Sequence, residues 1–114
     1  MSPRAPNVAR TRAEVFAALG DETRLLLLAK LCSGQRYSIA ALTEGTKLTR
    51  QAVTKHLRVL ERVRIVHRAR EGRESLFKFD PRPVIEMKEY LELVSQQWDV
   101  ALARLKAFVE TDTQ

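Results

Sequence analysis

Residues 49–79 read TRQAVTKHLRVLERVRIVHRAREGRESLFKF, and this stretch decides the fold. In its first half, Val53, Leu57 and Leu60 recur at i, i+4 and i+7, which is the spacing of one face of an α-helix. A threonine stands at its start, where an N-cap belongs. We therefore predict a helix over about residues 49–61 whose apolar face packs into a core.

The second half of the stretch has the pattern of a β-hairpin. Apolar and polar side chains alternate on its second arm, and Gly72 lies between the two arms. Glycine allows the backbone angles that a tight hairpin turn requires. We predict an antiparallel hairpin over about residues 66–79, with its tip at residues 71–74.

Three further helices are predicted before this stretch. Apolar spacing indicates a first helix over about residues 8–19 and a second over about residues 21–33. Ser38 opens a brief third helix, which Gly45 ends. Two short helices joined by a tight turn containing Gly form a helix-turn-helix. Since a hairpin follows, the predicted fold is mainly α with a small β-hairpin, a winged helix-turn-helix.

A long amphipathic helix is predicted near the C-terminal end, over about residues 83–109, because apolar residues recur there at spacings of three and four. A helix of about 25 residues extends roughly 38 Å, which is more than one small domain needs for its own core. Part of it should therefore pack on another molecule. We assign residues 1–7 to a flexible tail and residues 8–110 to a single domain, because 114 residues are too few for two.

Positive charge is concentrated in the helix and the hairpin. Eight Arg or Lys residues and two Glu residues lie between positions 50 and 73, giving a net charge of +6. This equals the formal charge of the whole chain, because residues 1–49 carry +3 and residues 74–114 carry −3. A continuous basic surface neutralises several phosphates at once and releases their counterions. The pattern predicts binding to double-stranded DNA.

The polar face of the predicted helix 49–61 carries the side-chain types that read DNA. Arg can bond guanine and Gln can bond adenine through two contacts, and Thr can touch a thymine methyl group. Residues near the start of such a helix reach deepest into the groove. We predict that Arg50, Gln51 and Thr54 contact bases. The residues predicted to contact the DNA backbone are Thr49, Lys55, His56, Arg58, Arg68, Arg70 and Arg73.

Two alternatives to these assignments stay open. The basic face could be an ordinary solvated helix surface, although it lacks the i, i+4 Glu to Lys pairs common on such surfaces. His56 adjoins the apolar face, so it is either a packed, hydrogen-bonded residue or a phosphate contact.

Composition limits the other classes of protein. The chain is 45% apolar and 30% charged, which is typical of a folded domain, and it contains no stretch of roughly 20 apolar residues as a membrane span requires. We expect a cytoplasmic protein without a membrane partner. No nucleophile and base are paired by pattern and no phosphate-binding glycine loop is present, so we expect neither an enzyme nor a cofactor.

The motifs together resemble the ArsR-type winged-helix repressors over nearly the whole chain. The resemblance rests on AALGDETRLLLLAKL at residues 17–31, on VTKHL at residues 53–57 and on REGR at residues 70–73. It implies a homodimer, assembled through long N- and C-terminal helices, that binds an inverted-repeat operator and blocks transcription. The residues expected at the dimer interface are Val8, Val15, Phe16, Leu91, Val94, Trp98, Leu102, Leu105 and Phe108.

The chain departs from this family at two places. Arg64 stands where the family usually has Gly, so either Arg64 takes the left-handed turn at some strain or the turn is reshaped. Residues 38–45 contain no Cys and residues 83–114 contain no His, whereas family metal sites use such ligands. With one Cys and two His in the chain, we expect no metal site of the family type. The sequence does not identify an inducer.

Cys32 leaves a further alternative open. Its place on the predicted apolar stripe of the second helix favours a small buried hydrophobe, and a redox switch is the competing interpretation. The fold could then serve a sensor that responds to oxidants or to a small ligand at the dimer interface. Winged helices can also bind protein or RNA, which is the second rival to DNA binding.

Overall fold

The structure is a computed structural model that describes the backbone of residues 4–112 and the side chains of residues 10–111. It is mostly helical with a small antiparallel sheet. The elements, in chain order, are α1 (Arg4–Leu19), α2 (Glu22–Leu31), β1 (Tyr37–Ser38), α3 (Ile39–Thr43), α4 (Arg50–Arg62), β2 (Val66–Glu71), β3 (Glu74–Phe79) and α5 (Arg82–Asp112). The predicted helix-turn-helix is α3 with α4, and the predicted hairpin is β2 with β3, which we call the wing.

Three helix starts are capped as the sequence predicts. The side chains of Asp21, Ser38 and Thr49 each accept a hydrogen bond from the backbone N–H three residues later, at 3.0 to 3.1 Å. Each bond satisfies an N–H that has no partner inside the helix. These caps fix where α2, α3 and α4 begin.

One core lies beneath α4. Helix α4 contacts α2, α3 and β2, and its apolar face is completely enclosed. Burial of one such side chain stabilises the fold by about 1.5 to 3 kcal/mol. The largest fully buried side chains are Leu27, Leu31, Leu42, Val53, Leu57, Leu60, Ile65 and Val66. The core therefore holds the polar face of α4 outward.

The sheet has three strands in the order β1-β3-β2, and both pairings are antiparallel. The sequence predicts the β2–β3 hairpin correctly but predicts no strand at residues 37–38. In the structure Tyr37 is opposite Phe77 in the β1–β3 pairing. A strand of two residues is too short for an alternating pattern, so its identity depends on the neighbour that it pairs with.

Helix α4 ends in a Schellman motif whose left-handed residue is Arg64, with φ of 66°. The N–H of Arg64 donates to the Glu61 carbonyl and the N–H of Ile65 donates to the Leu60 carbonyl, both at 3.0 Å. These bonds satisfy two of the last carbonyl groups of the helix. Of the two alternatives at Arg64, the structure shows the left-handed turn, and the turn leads directly into β2.

The sequence predicts an apolar stripe on α2 through Leu25, Leu28, Ala29 and Cys32, and of these four the structure buries only Leu28. Leu25 is 52% exposed and Cys32 is exposed, whereas Leu27, Leu28 and Leu31 are buried. Four consecutive leucines fit more than one helical phase, and the prediction chose a phase that ends at Cys32. Because the buried face is rotated away from this residue, Cys32 is not a core side chain.

The predicted start of the first helix also differs from the structure. Helix α1 begins at Arg4, so the tail predicted over residues 1–7 overlaps its first turn, where proline is tolerated because the N–H groups have no helical partner. The chain divides into two compact units, one ending at Pro83 and the other beginning at Val84. The second unit consists of the remainder of α5, and a lone helix has no core of its own.

No helix within residues 4–112 combines the length and the apolar composition that a membrane span requires.

Candidate nucleic-acid interface

One face of α4 presents the predicted DNA-reading residues together. Arg50, Gln51, Lys55 and Arg58 are exposed and Thr54 is half-buried. The apolar residues on the opposite side of the helix are fully buried. The structure thus places the three predicted base contacts and two of the predicted backbone contacts on a single accessible surface.

Thr49, the N-cap of α4, and Thr54 within the helix retain the atoms that DNA would use. Thr54 Oγ1 donates to the Arg50 carbonyl at 2.7 Å, so its oxygen lone pairs and its methyl group remain for a base. Thr49 Oγ1 accepts the N–H of Ala52, which leaves its hydroxyl proton for a phosphate oxygen. Each side chain therefore makes one structural hydrogen bond and keeps a further hydrogen-bonding group for DNA.

Lys30 holds the C-terminal end of α3, the helix that precedes α4 in the chain. Its Nζ donates to the carbonyls of Leu42 and Glu44, each at 3.3 Å. A positive charge at a helix C-terminus is favourable because the last carbonyls have no helical partner. Sequence reasoning missed this role, since it depends on packing between residues 12 and 14 positions apart.

His56 is a half-buried residue that contacts the start of α2. Its Nδ1 lies 3.3 Å from Arg24 Nη1 and 3.7 Å from Asp21 Oδ2, and its side chain is 24% exposed. The backbone N–H of Arg24 lowers the pKa of the Asp21 carboxyl, and the nearby Arg24 charge acts in the same direction. Of the two interpretations of His56, the geometry supports the hydrogen-bonded one. The predicted phosphate contact stays a prediction.

Arg68 joins the wing to α4. Its Nη2 lies 3.0 Å from Glu61 Oε1 and its Nε lies 3.4 Å from Glu61 Oε2, and the guanidinium also lies 5.7 Å from the centre of the Phe77 ring. The Glu61 carboxylate raises the pKa of Arg68 through this hydrogen bonding. Such a two-point pair limits rotation of the wing against α4. A phosphate contact by Arg68, which stays a prediction, would have to share the guanidinium with Glu61.

Two basic residues lie at the wing tip, and a third, which the sequence did not reveal, lies beside it. Arg70 and Arg73 are exposed, as a phosphate contact requires. Arg36, which precedes β1, forms an ion pair with Glu71 of the wing. Because β1 pairs with β3, Arg36 is brought beside the wing from 35 residues away, and no local pattern announces such a contact.

A buried carboxylate anchors the base of the wing. Asp80 Oδ2 lies 2.7 Å from His67 Nε2 and 2.7 Å from Arg82 Nη2, and Asp80 Oδ1 accepts the backbone N–H of Arg82 at 3.0 Å. A carboxylate only accepts, so Nε2 of His67 carries a proton. Hydrogen bonds from Arg82 are the main reason that the pKa of Asp80 is held well below its usual value, and the bond from His67 adds to them.

Replacing Asp80 with Asn is expected to destabilise the protein by about 1 to 3 kcal/mol at pH 7, because the variant loses charged hydrogen bonds in a buried site. The folded pKa lies far below the unfolded value of about 4, so this stabilisation is complete above about pH 5 and is lost progressively as the pH falls from about 4 towards the folded pKa. Denaturant unfolding of both proteins at several pH values measures the difference, which should shrink in acid. Asp99→Asn, at an exposed residue, is the control. A difference independent of pH would contradict this role.

The predicted dimer residues fall into four groups. Val15 is buried within a single chain, so its assignment to the interface is wrong: it has no surface left for a partner. Phe16 and Val94 are half-buried, and the side chain of Val8 lies outside the described residues. The remaining predicted residues are exposed large hydrophobic side chains on α5, namely Leu91, Trp98, Leu102, Leu105 and Phe108.

Among the described residues, no group of three or more His, Cys, Asp or Glu side chains is placed to hold a metal ion. His56 and His67 lie in different contacts, the first with Arg24 and the second with Asp80.

Comparison with known proteins places this geometry among bacterial regulators. Residues 21–68 match the model of the bacterial regulatory protein arsR family. The chain is similar to YuzN of Bacillus subtilis, an uncharacterised HTH-type transcriptional regulator, with 36% identity over 76 residues that cover 61% of this chain and 83% of YuzN.

Solved structures show the same fold. An ArsR-like transcriptional regulator from Rhodococcus sp. RHA1 has a TM-score of 0.77 and 32% identity, and the match covers 90% of this chain and 95% of that protein. The homodimeric winged helix-turn-helix DNA-binding domain of Mb0332 from Mycobacterium bovis has a TM-score of 0.67 and 22% identity, with 85% and 89% coverage. The predicted fold class, a winged helix-turn-helix, is confirmed.

Proposed function

Because this chain belongs to the arsR family of bacterial regulatory proteins, we propose that it is a homodimeric repressor that binds an inverted-repeat DNA operator. The DNA-binding regulator class follows from the family. The observation that carries the proposal is the face of α4, where polar and basic side chains are exposed directly opposite a fully buried apolar face. Such a helix fits the major groove.

The contacts divide by their place along α4 and the wing. Arg50 and Gln51 occupy the first turn of α4 and read bases, together with Thr54 one turn later. Lys55 and Arg58 lie further along the helix and contact phosphates. Arg70 and Arg73 of the wing reach a neighbouring part of the DNA backbone. Base contacts supply specificity, and phosphate contacts supply affinity and orientation.

Dimerisation uses the apolar surface of α5. Large hydrophobic side chains stay exposed along this helix in the single chain, which is costly in water and typical of an interaction surface. Mb0332, which shares the fold, is described as homodimeric. A two-fold symmetric dimer presents two copies of α4, so its operator is an inverted repeat. Occupying the operator excludes other proteins from the same DNA, which represses transcription in the cytoplasm.

The proposed repressor does not sense metal in the manner usual for the family. The chain has one Cys and two His, and the two His are engaged with separate partners in different parts of the fold. Soft and borderline metal ions need several thiolate or imidazole ligands in one place. DNA binding should therefore be unchanged by zinc, cadmium or arsenite.

The exposure of Cys32 favours one variant of this function, a redox-responsive repressor. An accessible thiol can be oxidised, whereas a core thiol is inert. Replacing Cys32 with Ser tests it. If the wild-type protein loses operator affinity in hydrogen peroxide and the Ser variant does not, the redox form is correct; equal responses of the two proteins would contradict it.

Replacing Arg73 with Ala should weaken binding to every duplex by a similar factor and lower the salt slope of log K by about one. Arg73 is an exposed wing residue whose predicted contact is a phosphate. Affinities for two unrelated duplexes over a series of salt concentrations give both quantities. Lys106→Ala on α5, paired with Glu110, is the control for loss of a charge. A change in sequence preference would contradict the phosphate assignment.

Selection from a randomised duplex library tests the proposed function as a whole. The purified full chain should enrich an inverted repeat whose half-sites are about one helical turn apart. Enrichment of a single asymmetric site, or of no duplex sequence, would contradict the proposal. If the protein instead bound RNA from a parallel library more tightly than duplex DNA, the alternative function, RNA binding, would be favoured.

A further inference from the structure

We propose that Arg24 is a positioning residue for DNA readout, because it ties α4, through His56, to the last turn of α1. The inference rests on the proposed function, since it concerns how α4 is held for reading bases. Arg24 lies in the first turn of α2 and is 32 residues away from His56 in the sequence.

The guanidinium of Arg24 joins three helices. Its Nε donates to the Ala18 carbonyl at 2.6 Å and its Nη2 donates to the Ala17 carbonyl at 3.2 Å. These carbonyls belong to the C-terminal turn of α1, where a cation is favourable. The remaining nitrogen, Nη1, lies 3.3 Å from His56 Nδ1 on α4. The planar fork of Arg, with five donors in fixed directions, can make all three bonds at once.

The contact with Arg24 sets the state of the His56 ring. A guanidinium only donates, so Nδ1 of His56 must accept, and the proton of the neutral ring is on Nε2. Asp21 Oδ2 lies 3.7 Å from the same Nδ1 and is held by the backbone N–H of Arg24. Arg24 thus holds Asp21 in place through its backbone N–H. Through its guanidinium it selects one tautomer of His56, which leaves Nε2–H as the ring's donor.

Holding His56 limits rotation of α4 about its axis. His56 is half-buried and lies beside the buried face of the helix, about 120 to 160° around the axis from the base-reading residues. A rotation of about 10° moves an atom about 6 Å from the axis by about 1 Å, which is at the limit that a base-specific hydrogen bond tolerates. The apolar core resists translation of α4, and a directional bond at the flank adds the angular restraint that packing alone gives weakly.

The same bonds couple α1 to α4. A shift of the last turn of α1 moves the Ala17 and Ala18 carbonyls, and Arg24 transmits the movement to His56. Since α1 is one of the two helices predicted to form the dimer, DNA readout becomes dependent on how the dimer is assembled. This coupling acts on the selectivity of binding and not only on stability.

A double-mutant cycle with Arg24→Gln and His56→Ala tests the proposal on the full chain. The probes are the duplex that the wild-type protein selects from a random library and a scrambled duplex. Each single variant should lose about tenfold in operator affinity, the effect of one charge-assisted hydrogen bond, with a smaller change on the scrambled duplex. The double variant should lose little more than either single variant, because both remove the same bond.

Three controls separate positioning from folding and from charge. Thermal unfolding of each variant shows whether the fold persists, and Arg10→Gln removes one exposed charge from α1. His56→Asn keeps an acceptor near the position of Nδ1 and should recover selectivity that His56→Ala loses. The ¹⁵N shifts of the His56 ring in the free protein should report the Nε2-protonated tautomer in the wild type and a mixture in Arg24→Gln.

The outcomes are distinct. A wild-type protein that binds both duplexes equally would contradict the proposed function, and this inference with it. A selective wild type whose Arg24→Gln variant folds and is equally selective would contradict the inference alone. Equal losses on both duplexes, or additive losses in the double variant, would also overturn it, because they indicate a simple charge or stability effect.

Discussion

Replacing Leu105 with Glu is expected to convert the proposed dimer to monomers and to lower operator affinity by about a hundredfold or more, because a monomer loses the effective concentration of its second half-site. Leu105 is 57% exposed in the single chain and lies on the face of α5 that also carries Leu91, Trp98 and Leu102. In a dimer this face would be buried, and a buried charge without a partner is strongly destabilising. The folded monomer should survive, since the side chain has no place in its core.

Sedimentation equilibrium measures the mass of the variant, and a titration with the selected duplex measures its affinity. The matched control is Gln96→Glu, which places the same side chain on the opposite side of α5 at an exposed position. Both variants add one negative charge, so any effect of net charge on DNA binding is shared. A Leu105→Glu protein that stays dimeric would show that the dimer interface does not use this face of α5.

Arg50→Ala and Gln51→Ala should each cost about 1 to 3 kcal/mol on the selected duplex and relax the preference for one base pair in each half-site. The two residues are exposed in the first turn of α4, where side chains reach base edges. Because neither side chain is buried, stability should stay within about 0.5 kcal/mol of the wild-type value.

Repeating the library selection with each variant identifies the base pair at which the preference is lost. Lys55→Ala is the comparison, since the loss of a phosphate contact should weaken binding to all duplexes alike. If Arg50→Ala and Gln51→Ala weakened binding to every DNA sequence equally, the base-reading assignment would be wrong and these residues would be phosphate contacts.

The sequence predicts α4 and the wing well, because their signals are local. Helix α4 has a strong apolar period, its N-cap is a threonine, and the wing turns at Gly72, whose φ is 62°. The turn at Arg64 follows from the two bonds that close α4, with a side chain of unusual type in the left-handed position. Each of these features is set by residues within one or two turns of each other.

Features that depend on distant contacts were not predictable. The four leucines at 25–28 are compatible with more than one helical phase, and only packing selects the face that leaves Cys32 exposed. The ion pair of Glu61 with Arg68 and the bonds of Asp80 join residues in different elements. Arg24 has no local feature that points to His56, because an arginine near a helix start usually faces solvent.

The exposed surface of α5 shows how sequence and structure complement each other. Periodicity predicts an amphipathic helix that is too long for its own domain, and the structure locates the side chains that stay exposed, Leu105 and Phe108 among them. Val15 shows the limit of the same reasoning, since an apolar residue on a terminal helix can serve the chain's own core. Pattern identifies apolar faces, and only the fold decides which of them are already covered.

A fluorescence-anisotropy titration of the full chain, without added metal, tests the central claim most directly. The two probes are the selected duplex and a scrambled duplex of equal length, each at a low and a high salt concentration. Sequence-specific binding through α4 and the wing predicts tight binding to the selected duplex that weakens with salt, and much weaker binding to the scrambled one. Equal, weak binding to both duplexes at both salt concentrations would contradict it.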